Sequence, residues 1–366
     1  MKTLRLYFLA SASILCMYFV ASCDKGNDPE PELVVEPPAV GAVYFLNSGN
    51  YGGNNTTLDF VRIMGDGDNP AVVHGLFFAQ NQRKLGDTGN DMIACGSKLY
   101  IAVSGSKTVE VVAPDGTSLK QIAFDGDPRS FASDGGKVYV TLYNGFVARI
   151  DTATLTVDGT TAVGRNPEQI AIARNRLYVT NSGGLDYASA TGYDRTVSVV
   201  DIPAFKETKR IDVAVNPVGI VADGEGDVYV ASMGNYGDVP AVLQRIDGDD
   251  RVTVVEGVPA GELAFAGDRL YILSVRYDSA GKSVYTFVSF DTKQERVLSD
   301  HFVEPGSEPP SPYKISVDPQ TETLFISSSN YSDNGDFYAY DLQGKRTNRW
   351  EAGLNPVKAV VIHERK

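Results

Sequence analysis

Short apolar runs with a central aromatic residue recur along this chain, and a polar, glycine-containing segment follows each of them. Leu177-Tyr178-Val179 is typical, because Thr180-Asn181-Ser182 and two glycines come directly after it. Runs of this length and composition predict buried strands, and Asn and Gly predict the turns that leave them. Seven copies are centred on Tyr44, Tyr100, Tyr139, Tyr178, Tyr229, Tyr271 and Phe325.

A proline-led segment precedes most copies, and two further strand-like segments follow. Asp127-Pro128 and Asn166-Pro167 are examples of the leading segment, and proline suits the first residue of a strand because it needs no ladder donor there. The segment after the aromatic strand alternates with period two, as in Val197-Ser198-Val199, and a more polar strand such as Thr208-Lys209-Arg210 comes next. Four antiparallel strands in about 47 residues predict one blade of a β-propeller.

The two ends of the repeat predict how the ring closes. The first aromatic copy, at Tyr44, has no proline-led strand before it, and the last proline-led segment, at residues 355–362, has no aromatic strand after it. We therefore expect the C-terminal strand to join the first blade, which removes both open sheet edges. The predicted fold class is all-β, a seven-bladed β-propeller over residues 41–366.

The first forty residues are expected to form no part of this fold. Lys2 and Arg5 precede an apolar stretch, which indicates a secretory signal peptide over residues 1–22. Val20-Ala21-Ser22-Cys23 resembles a bacterial lipobox, in which Cys23 is lipidated and begins the mature protein; an ordinary signal peptide with an incidental cysteine is the alternative. Residues 23–40 are acidic and proline-rich, which predicts a flexible tether. Contact with a membrane is then expected through the lipid anchor only.

Charge and cysteine content narrow the possible partners. The chain has a net charge of −13 and a pI of about 4.8, so we expect no nucleic-acid partner, because binding to phosphates needs a basic face. Of three cysteines, Cys16 lies in the signal and Cys23 in the lipobox. Cys95 therefore has no partner for an intramolecular disulfide in the mature chain.

In a propeller, the loop that enters the first strand of a blade and the loop that leaves the second emerge on one face, around the central channel. The leaving loops are rich in Tyr, Asn and Gly; tyrosine offers contact area at low entropic cost, although Asn and Gly also occur in turns for conformational reasons. Charged residues inside the entering loops would line the channel mouth, either to hold a polar ligand or to pair between blades. The predicted ligand-binding residues are Asn47, Tyr51, Asn90, Asp91, Arg129, Tyr143, Asn144, Glu168, Gln169, Asn181, Tyr187, Tyr236, Arg276, Tyr277, Tyr313, Lys314, Asn330, Tyr331 and Lys358.

The repeat resembles the YncE-type seven-bladed propellers of bacteria over nearly the whole domain. Two blocks, Phe45-Leu46-Asn47-Ser48-Gly49-Asn50-Tyr51-Gly52-Gly53-Asn54 and Leu85-Gly86-Asp87-Thr88-Gly89-Asn90-Asp91-Met92, resemble the Bacteroidetes lipoproteins that capture cobalamin at the cell surface, the BtuG type. This resemblance implies that cobalamin or a related corrinoid binds on the loop face, as a transported ligand and not as a cofactor. It also implies delivery to a TonB-dependent outer-membrane transporter. The acidic run after Cys23 resembles the surface-export signal of such lipoproteins, which implies a location on the outer face of the outer membrane.

Catalysis finds little support in the sequence. The three histidines lie far apart with no metal-binding spacing, and no serine stands in a Gly-x-Ser-x-Gly elbow, so we predict no enzyme, no metal and no catalytic residue. Two alternatives stay open. One is a lactonase-like hydrolase with a channel metal on Asp91, Glu168 and Asn181, and the other is an interaction propeller without a small ligand.

Overall fold

A computed structural model describes residues 41–62 and 70–363 of the chain. The predicted signal peptide, Cys23 and the tether lie outside the described residues. Within them, the single α-helix, α1 (Leu76–Asn81), has six residues, and no helix is long and apolar enough to cross a membrane.

The described chain folds into seven antiparallel sheets, which we number as blades 1 to 7. Blade 1 contains β1 (Ala42–Asn47), β2 (Thr57–Arg62) and β27 (Pro356–Ile362), and blade 2 contains β3 (Gly89–Cys95), β4 (Lys98–Val103), β5 (Thr108–Val112) and β6 (Ser118–Ala123). Blade 3 contains β7 (Pro128–Asp134), β8 (Lys137–Leu142), β9 (Phe146–Asp151) and β10 (Thr156–Ala162), and blade 4 contains β11 (Pro167–Ala173), β12 (Arg176–Asn181), β13 (Thr196–Asp201) and β14 (Lys206–Asp212). Blade 5 contains β15 (Pro217–Ala222), β16 (Val228–Ser232), β17 (Val242–Ile246) and β18 (Val252–Val254), and blade 6 contains β19 (Glu262–Ala266), β20 (Arg269–Tyr277), β21 (Ser283–Asp291) and β22 (Arg296–Ser299). Blade 7 contains β23 (Pro312–Asp318), β24 (Thr323–Ser328), β25 (Asn334–Asp341) and β26 (Arg346–Leu354). A 3-10 turn, Gly184–Asp186, lies in the loop after β12.

The predicted closure of the ring is confirmed. β27 pairs antiparallel with β1, so that Tyr44 lies opposite Val360, and the sheet order of blade 1 is β2, β1, β27. An isolated bridge between Phe60 and Val73 continues this sheet outward, in the place of a fourth strand. The first and last strands of the domain are therefore held in one sheet, and the prediction of a seven-bladed, four-stranded propeller is confirmed.

The repeated aromatic residue of each second strand forms the core between blades. All seven rings are at most 2 % exposed. Tyr178 of blade 4, for example, packs in one cluster with Ile220 and Val230 of blade 5. Because each ring packs against the next blade in the same way, the repeat specifies the contacts between blades as well as those within them.

The innermost strands β27, β3, β7, β11, β15, β19 and β23 contact one another in a closed ring around the channel. In six of them the pairing with the second strand shifts register within the first few residues, as between Pro128 and Phe131 in blade 3. Such a bulge changes the direction of side chains at the start of a strand. At least two consecutive residues of each innermost strand line the end of the channel.

Candidate binding site at the channel mouth

A cavity of about 750 Å³ opens at one end of the channel, and we call it the channel mouth. Residues from all seven blades line it, and they come from the starts of the innermost strands and from the loops that leave the second strands. Its volume lies within the usual range for sites that bind small molecules or cofactors, roughly 300–1,000 Å³. The entering and leaving loops thus meet at one face, as the topology of the repeat predicts.

Six blades each place one charged side chain in the channel mouth, and neighbouring blades pair these charges. The three ion pairs are Lys358–Asp91 at 3.2 Å between blades 1 and 2, Arg129–Glu168 at 2.7 Å between blades 3 and 4, and Lys314–Glu262 at 2.5 Å between blades 6 and 7. Because each pair joins one cation to one anion, the formal charges of the mouth sum to zero. A strongly charged ligand therefore gains no net attraction from this ring, whereas a neutral polar ligand finds both donors and acceptors.

Blade 5 is the exception among the described residues of the mouth, because it places Val218 and Gly219 where the other blades place a charge. The three ion pairs involve one side chain from each of six blades, so blade 5 has no part in them. The pairing register shows the equivalence: Pro217 lies opposite the last residue of β16, just as Pro356 lies opposite the last residue of β1. Val218 of blade 5 therefore occupies the same position as Val357 of blade 1. Met233, from the loop after β16, adds to the apolar lining beside Val218.

Two side chains of the mouth also hold innermost strands together. The Asp91 carboxylate accepts a hydrogen bond from the Phe131 N–H at 3.0 Å, and the Gln169 side-chain oxygen accepts one from the Ile220 N–H at 3.0 Å. In each case a side chain of one blade satisfies a backbone donor of the next. Removing such an acceptor would leave the N–H of a buried residue without its partner.

The electrostatic state of the mouth follows from these contacts. Burial lowers the pKa of Lys314, but the charge and hydrogen bond of Glu262 outweigh it, and the net shift is upward. The guanidinium of Arg129 lies 4.8 Å from the ring centre of Tyr143. Burial, followed by the charge of Glu168, raises the pKa of the Tyr143 phenol to about 12. At neutral pH Lys314 in the mouth is therefore charged, and Tyr143, which lies outside the lining beside Arg129, is a neutral phenol.

Tyrosines stand around the mouth mainly on blades 4 to 7. Tyr193 lies between Tyr187 and Tyr236, with 6.4 Å between ring centres on both sides, and Tyr313 meets Tyr331 edge to face at 5.3 Å. The most exposed tyrosines, 63–89 % accessible, are Tyr51, Tyr187, Tyr236, Tyr277 and Tyr331. Such rings offer stacking surface at the entrance of a polar cavity, and each stacked ring adds about 0.5–1.5 kcal/mol beyond area burial.

Two of these tyrosines have a left-handed backbone, with φ of 57° at Tyr236 and 64° at Tyr331. In both loops the preceding asparagine fixes the turn: Asn235 donates to Asp238 at 2.8 Å, and Asn330 donates to Asp333 at 2.9 Å. A bulky side chain at positive φ costs about 1–2 kcal/mol, and neither ring is buried well enough to offset that cost. Both loops therefore hold a tyrosine in a strained backbone conformation at the channel mouth.

Comparison with known proteins supports the propeller fold and gives no information about the channel mouth. No protein-family model matches the chain, and no curated protein matches it. Among solved structures, hydrazine synthase from Kuenenia stuttgartiensis is similar with a TM-score of 0.54 and 16% identity, over 68% of this chain and 74% of that one. The computationally designed protein Ika8 gives 0.54 and 10% over 85% and 88%, and a chain of the mitotic checkpoint complex gives 0.51 and 13% over 72% and 79%. At these identities the likeness shows the fold alone.

The predicted residues fall into three groups in the structure. Those that line the channel mouth are Asn90, Asp91, Arg129, Glu168, Gln169, Tyr236, Tyr277, Tyr313, Lys314, Tyr331 and Lys358. Those outside its lining are Tyr51, Asn144, Tyr187, Arg276 and Asn330, which are exposed, and Tyr143, which is half-buried beside Arg129.

The third group is the buried pair Asn47 and Asn181, which lie inside their blades and do not line the mouth. The Asn47 amide donates to Asp59 at 2.7 Å, and the Asn181 amide donates to Ser198 at 2.9 Å. Each is the last residue of a second strand and holds the strand beside it. Their contacts assign them to the stability of blades 1 and 4.

Sequence reasoning missed Glu262, Val218 and Met233 as lining residues. Glu262 was missed because its proline, Pro259, stands three residues earlier and not directly before the strand. The repeated dipeptide Asn-Tyr, at residues 50–51, 235–236 and 330–331, is a signal that would have singled out three loops of the face.

The contacts of the three candidate ligands argue against a metal site in the channel. Of the three candidate ligands, Asp91 and Glu168 each face a cation, and Asn181 lies within blade 4. Over residues 41–62 and 70–363, no group of three or more His, Cys, Asp or Glu side chains is arranged to hold a metal ion.

Proposed function

We propose that this chain is a binding protein that holds cobalamin or a related corrinoid in its channel mouth. The observation that carries the proposal is a polar cavity of neutral total charge, large enough for part of such a molecule and bordered by exposed tyrosines. The resemblance of two sequence blocks to cobalamin-capturing lipoproteins supplies the ligand class.

The chemistry of a corrinoid matches these groups. Its ring carries amide side chains, which both donate and accept hydrogen bonds, and its flat faces are largely apolar. The lysines of the mouth have three N–H donors each and share only part of them with their carboxylate partners, so donors remain for amide oxygens. The carboxylates accept from amide N–H groups in the same way, and the tyrosines stack on flat surfaces.

Capture would be followed by delivery. We propose that the protein is anchored through a lipid on Cys23 at the outer face of the outer membrane and passes its ligand to a TonB-dependent transporter. The lipobox-like sequence and the acidic run after it support this part of the proposal. Metabolic labelling with a fatty-acid analogue tests it: the natural chain should incorporate label and a Cys23→Ala variant should not. Equal labelling of the two would contradict the anchor.

Calorimetric titration of the full-length chain with cyanocobalamin tests ligand binding. We expect saturable heat with one ligand per chain, and weaker binding by a variant with both Tyr236→Gly and Tyr331→Gly. The matched control is Phe78→Gly, which removes an exposed ring on α1 that does not line the mouth. No heat at micromolar protein would contradict the corrinoid proposal. A stoichiometric divalent metal in the purified protein would instead favour the hydrolase alternative.

A further inference from the structure

We propose that the blade 5 side of the channel mouth is an apolar subsite for a planar aromatic group of the ligand; in a corrinoid this is the benzimidazole base. The inference rests on the proposed function and adds an orientation to it. We call this region the apolar sector, and it consists of Val218, Met233 and Tyr236 of blade 5 with Val275 and Tyr277 of blade 6.

The first observation is the distribution of charge around the ring. In the described part of the mouth, blade 5 alone supplies no charged side chain. Val218 holds the position that Arg129 holds in blade 3 and Glu168 in blade 4, and its neighbour Gly219 has no side chain. A ligand group that lies against Val218 and Gly219 therefore meets no charged side chain in the blade 5 lining of the mouth.

The second observation is apolar surface that the fold leaves uncovered. Val275 is 45 % exposed and Tyr236 is 73 % exposed, although both line a cavity. Val275 and Tyr277 are two residues apart on β20, so their side chains lie on the same face of that strand. Met233 adds a flexible thioether, which adapts its shape to flat groups. Burying this surface under a ligand removes it from water.

The third observation is that carboxylates lie on both sides of the apolar sector. Glu168 of blade 4 and Glu262 of blade 6 lie on its two sides, and their cationic partners lie on the far sides, in blades 3 and 7. An anionic group in this sector would meet two carboxylates before it met a cation. The lysines of blades 7 and 1, Lys314 and Lys358, are neighbours on the ring and are the favourable side for an anionic group. The flanking carboxylates therefore disfavour an anionic group, and the apolar lining favours a neutral planar one.

A pair of matched variants tests the subsite, because Val218 and Val357 occupy equivalent positions in blades 5 and 1. Val218→Lys puts a charge into the apolar sector, and Val357→Lys puts the same charge into a polar sector. Each variant is titrated with cyanocobalamin and with dicyanocobinamide, a corrinoid that lacks the base. We expect Val218→Lys to weaken cyanocobalamin binding at least about tenfold more than dicyanocobinamide binding, and Val357→Lys to change both affinities by the same factor.

Equal effects of Val218→Lys on the two corrinoids would overturn the subsite. Should Val218→Lys fail to fold, Met233→Gln changes the polarity of the same surface with little change in volume, and the same difference between ligands is expected of it.

A second measurement separates failure of the subsite from failure of the proposed function. Saturation-transfer NMR with free 5,6-dimethylbenzimidazole does not require corrinoid binding. Transfer to this probe in the natural chain, lost in Val218→Lys and kept in Val357→Lys, would support the subsite even if cyanocobalamin did not bind. No transfer at millimolar probe, or equal transfer in all three proteins, would overturn the subsite whatever the corrinoid result.

Discussion

The mouth is built in two ways, and the contrast between blades 3 and 4 on one side and blade 5 on the other shows what each achieves. Between blades 3 and 4, Arg129 and Glu168 meet at 2.7 Å, and Arg129 also covers the ring of Tyr143. At blade 5, within the described residues, the lining is Val218 and Met233 with the exposed ring of Tyr236. The paired charged side chains use many of their hydrogen-bonding groups on each other, and these contacts hold neighbouring blades together. The apolar side has no such partner, and Tyr236 and Val275 stay exposed there.

The largest effect should follow removal of Asp91, which joins three blades. Its carboxylate pairs with Lys358 and accepts from the Phe131 N–H. It also accepts from the Ser130 hydroxyl and the Met92 N–H. Asp91→Ala leaves all these groups without their acceptor, so we expect a loss of about 2–4 kcal/mol in the free energy of unfolding, measured by chemical denaturation. Val218→Ala is the comparison in the apolar sector, where only about 1 kcal/mol of apolar burial is at stake. A smaller loss for Asp91→Ala than for Val218→Ala would contradict the claim that the paired charges, and not the apolar sector, hold the blades together.

Glu168→Ala should have the next largest effect. It leaves Arg129 without its carboxylate partner in a partly exposed position, so the expected loss in the free energy of unfolding is about 1–2 kcal/mol. Because the Coulombic part of this loss is screened by ions, the difference between Glu168→Ala and the natural protein should shrink at high salt. A loss that does not change with salt would argue against an electrostatic link between blades 3 and 4.

Tyr236→Gly should separate stability from binding. Glycine relieves the strain of a φ of 57°, so we expect the free energy of unfolding to stay level or rise by about 0.5–1 kcal/mol. Affinity for cyanocobalamin should fall by the value of one stacked ring, about 0.5–1.5 kcal/mol. Tyr51→Gly is the control, because Tyr51 stands in the same Asn-Tyr-Gly sequence without a positive φ, and its change should give no gain in stability. Loss of stability in Tyr236→Gly would mean that the ring serves the fold.

The smallest effect concerns the titration of Tyr143. Burial and then the charge of Glu168 raise its folded pKa from 10.0 to about 12, so folding favours the neutral phenol. The resulting contribution to stability is complete below pH 10 and is lost as the pH rises toward 12. The absorbance change of phenolate formation, taken as the difference between the natural protein and Tyr143→Phe, measures this pKa. In Glu168→Gln the pKa should fall, and an unchanged value would show that Glu168 does not act on Tyr143.

The blades were predictable because their signals are local. Tyr178 and its counterparts stand in short apolar strands, and the unpaired segments at the two ends predicted the closure by β27. The mouth was predictable in part, since the proline-led segments indicated Arg129, Glu168 and Lys358. Their pairing depends on which blades become neighbours: Arg129 and Glu168 are 39 residues apart in the sequence, and Lys358 meets Asp91 only because the C-terminal strand closes the ring. No local sequence pattern shows such contacts.

The misplaced residues have equally physical reasons. Asn181 ends a strand that leads into a polar loop, and the sequence alone does not show on which face its side chain lies; in the structure it donates to Ser198 within blade 4. Val218 looked like an ordinary strand residue in the sequence. It is distinctive only because the other six blades place a charged side chain at this end of the channel. The absence of a charged side chain in blade 5 can be recognised only when all seven blades are compared in the folded ring.

The cobalt atom of cyanocobalamin provides the most direct test of ligand binding in the mouth. Crystals of the full-length chain grown with cyanocobalamin, measured at the cobalt absorption edge, would locate the metal by anomalous scattering. We predict one cobalt peak within or directly above the channel mouth, with density for the base beside Val218 and Met233. A cobalt peak on the outer rim of the blades or at the opposite end of the channel would contradict the account.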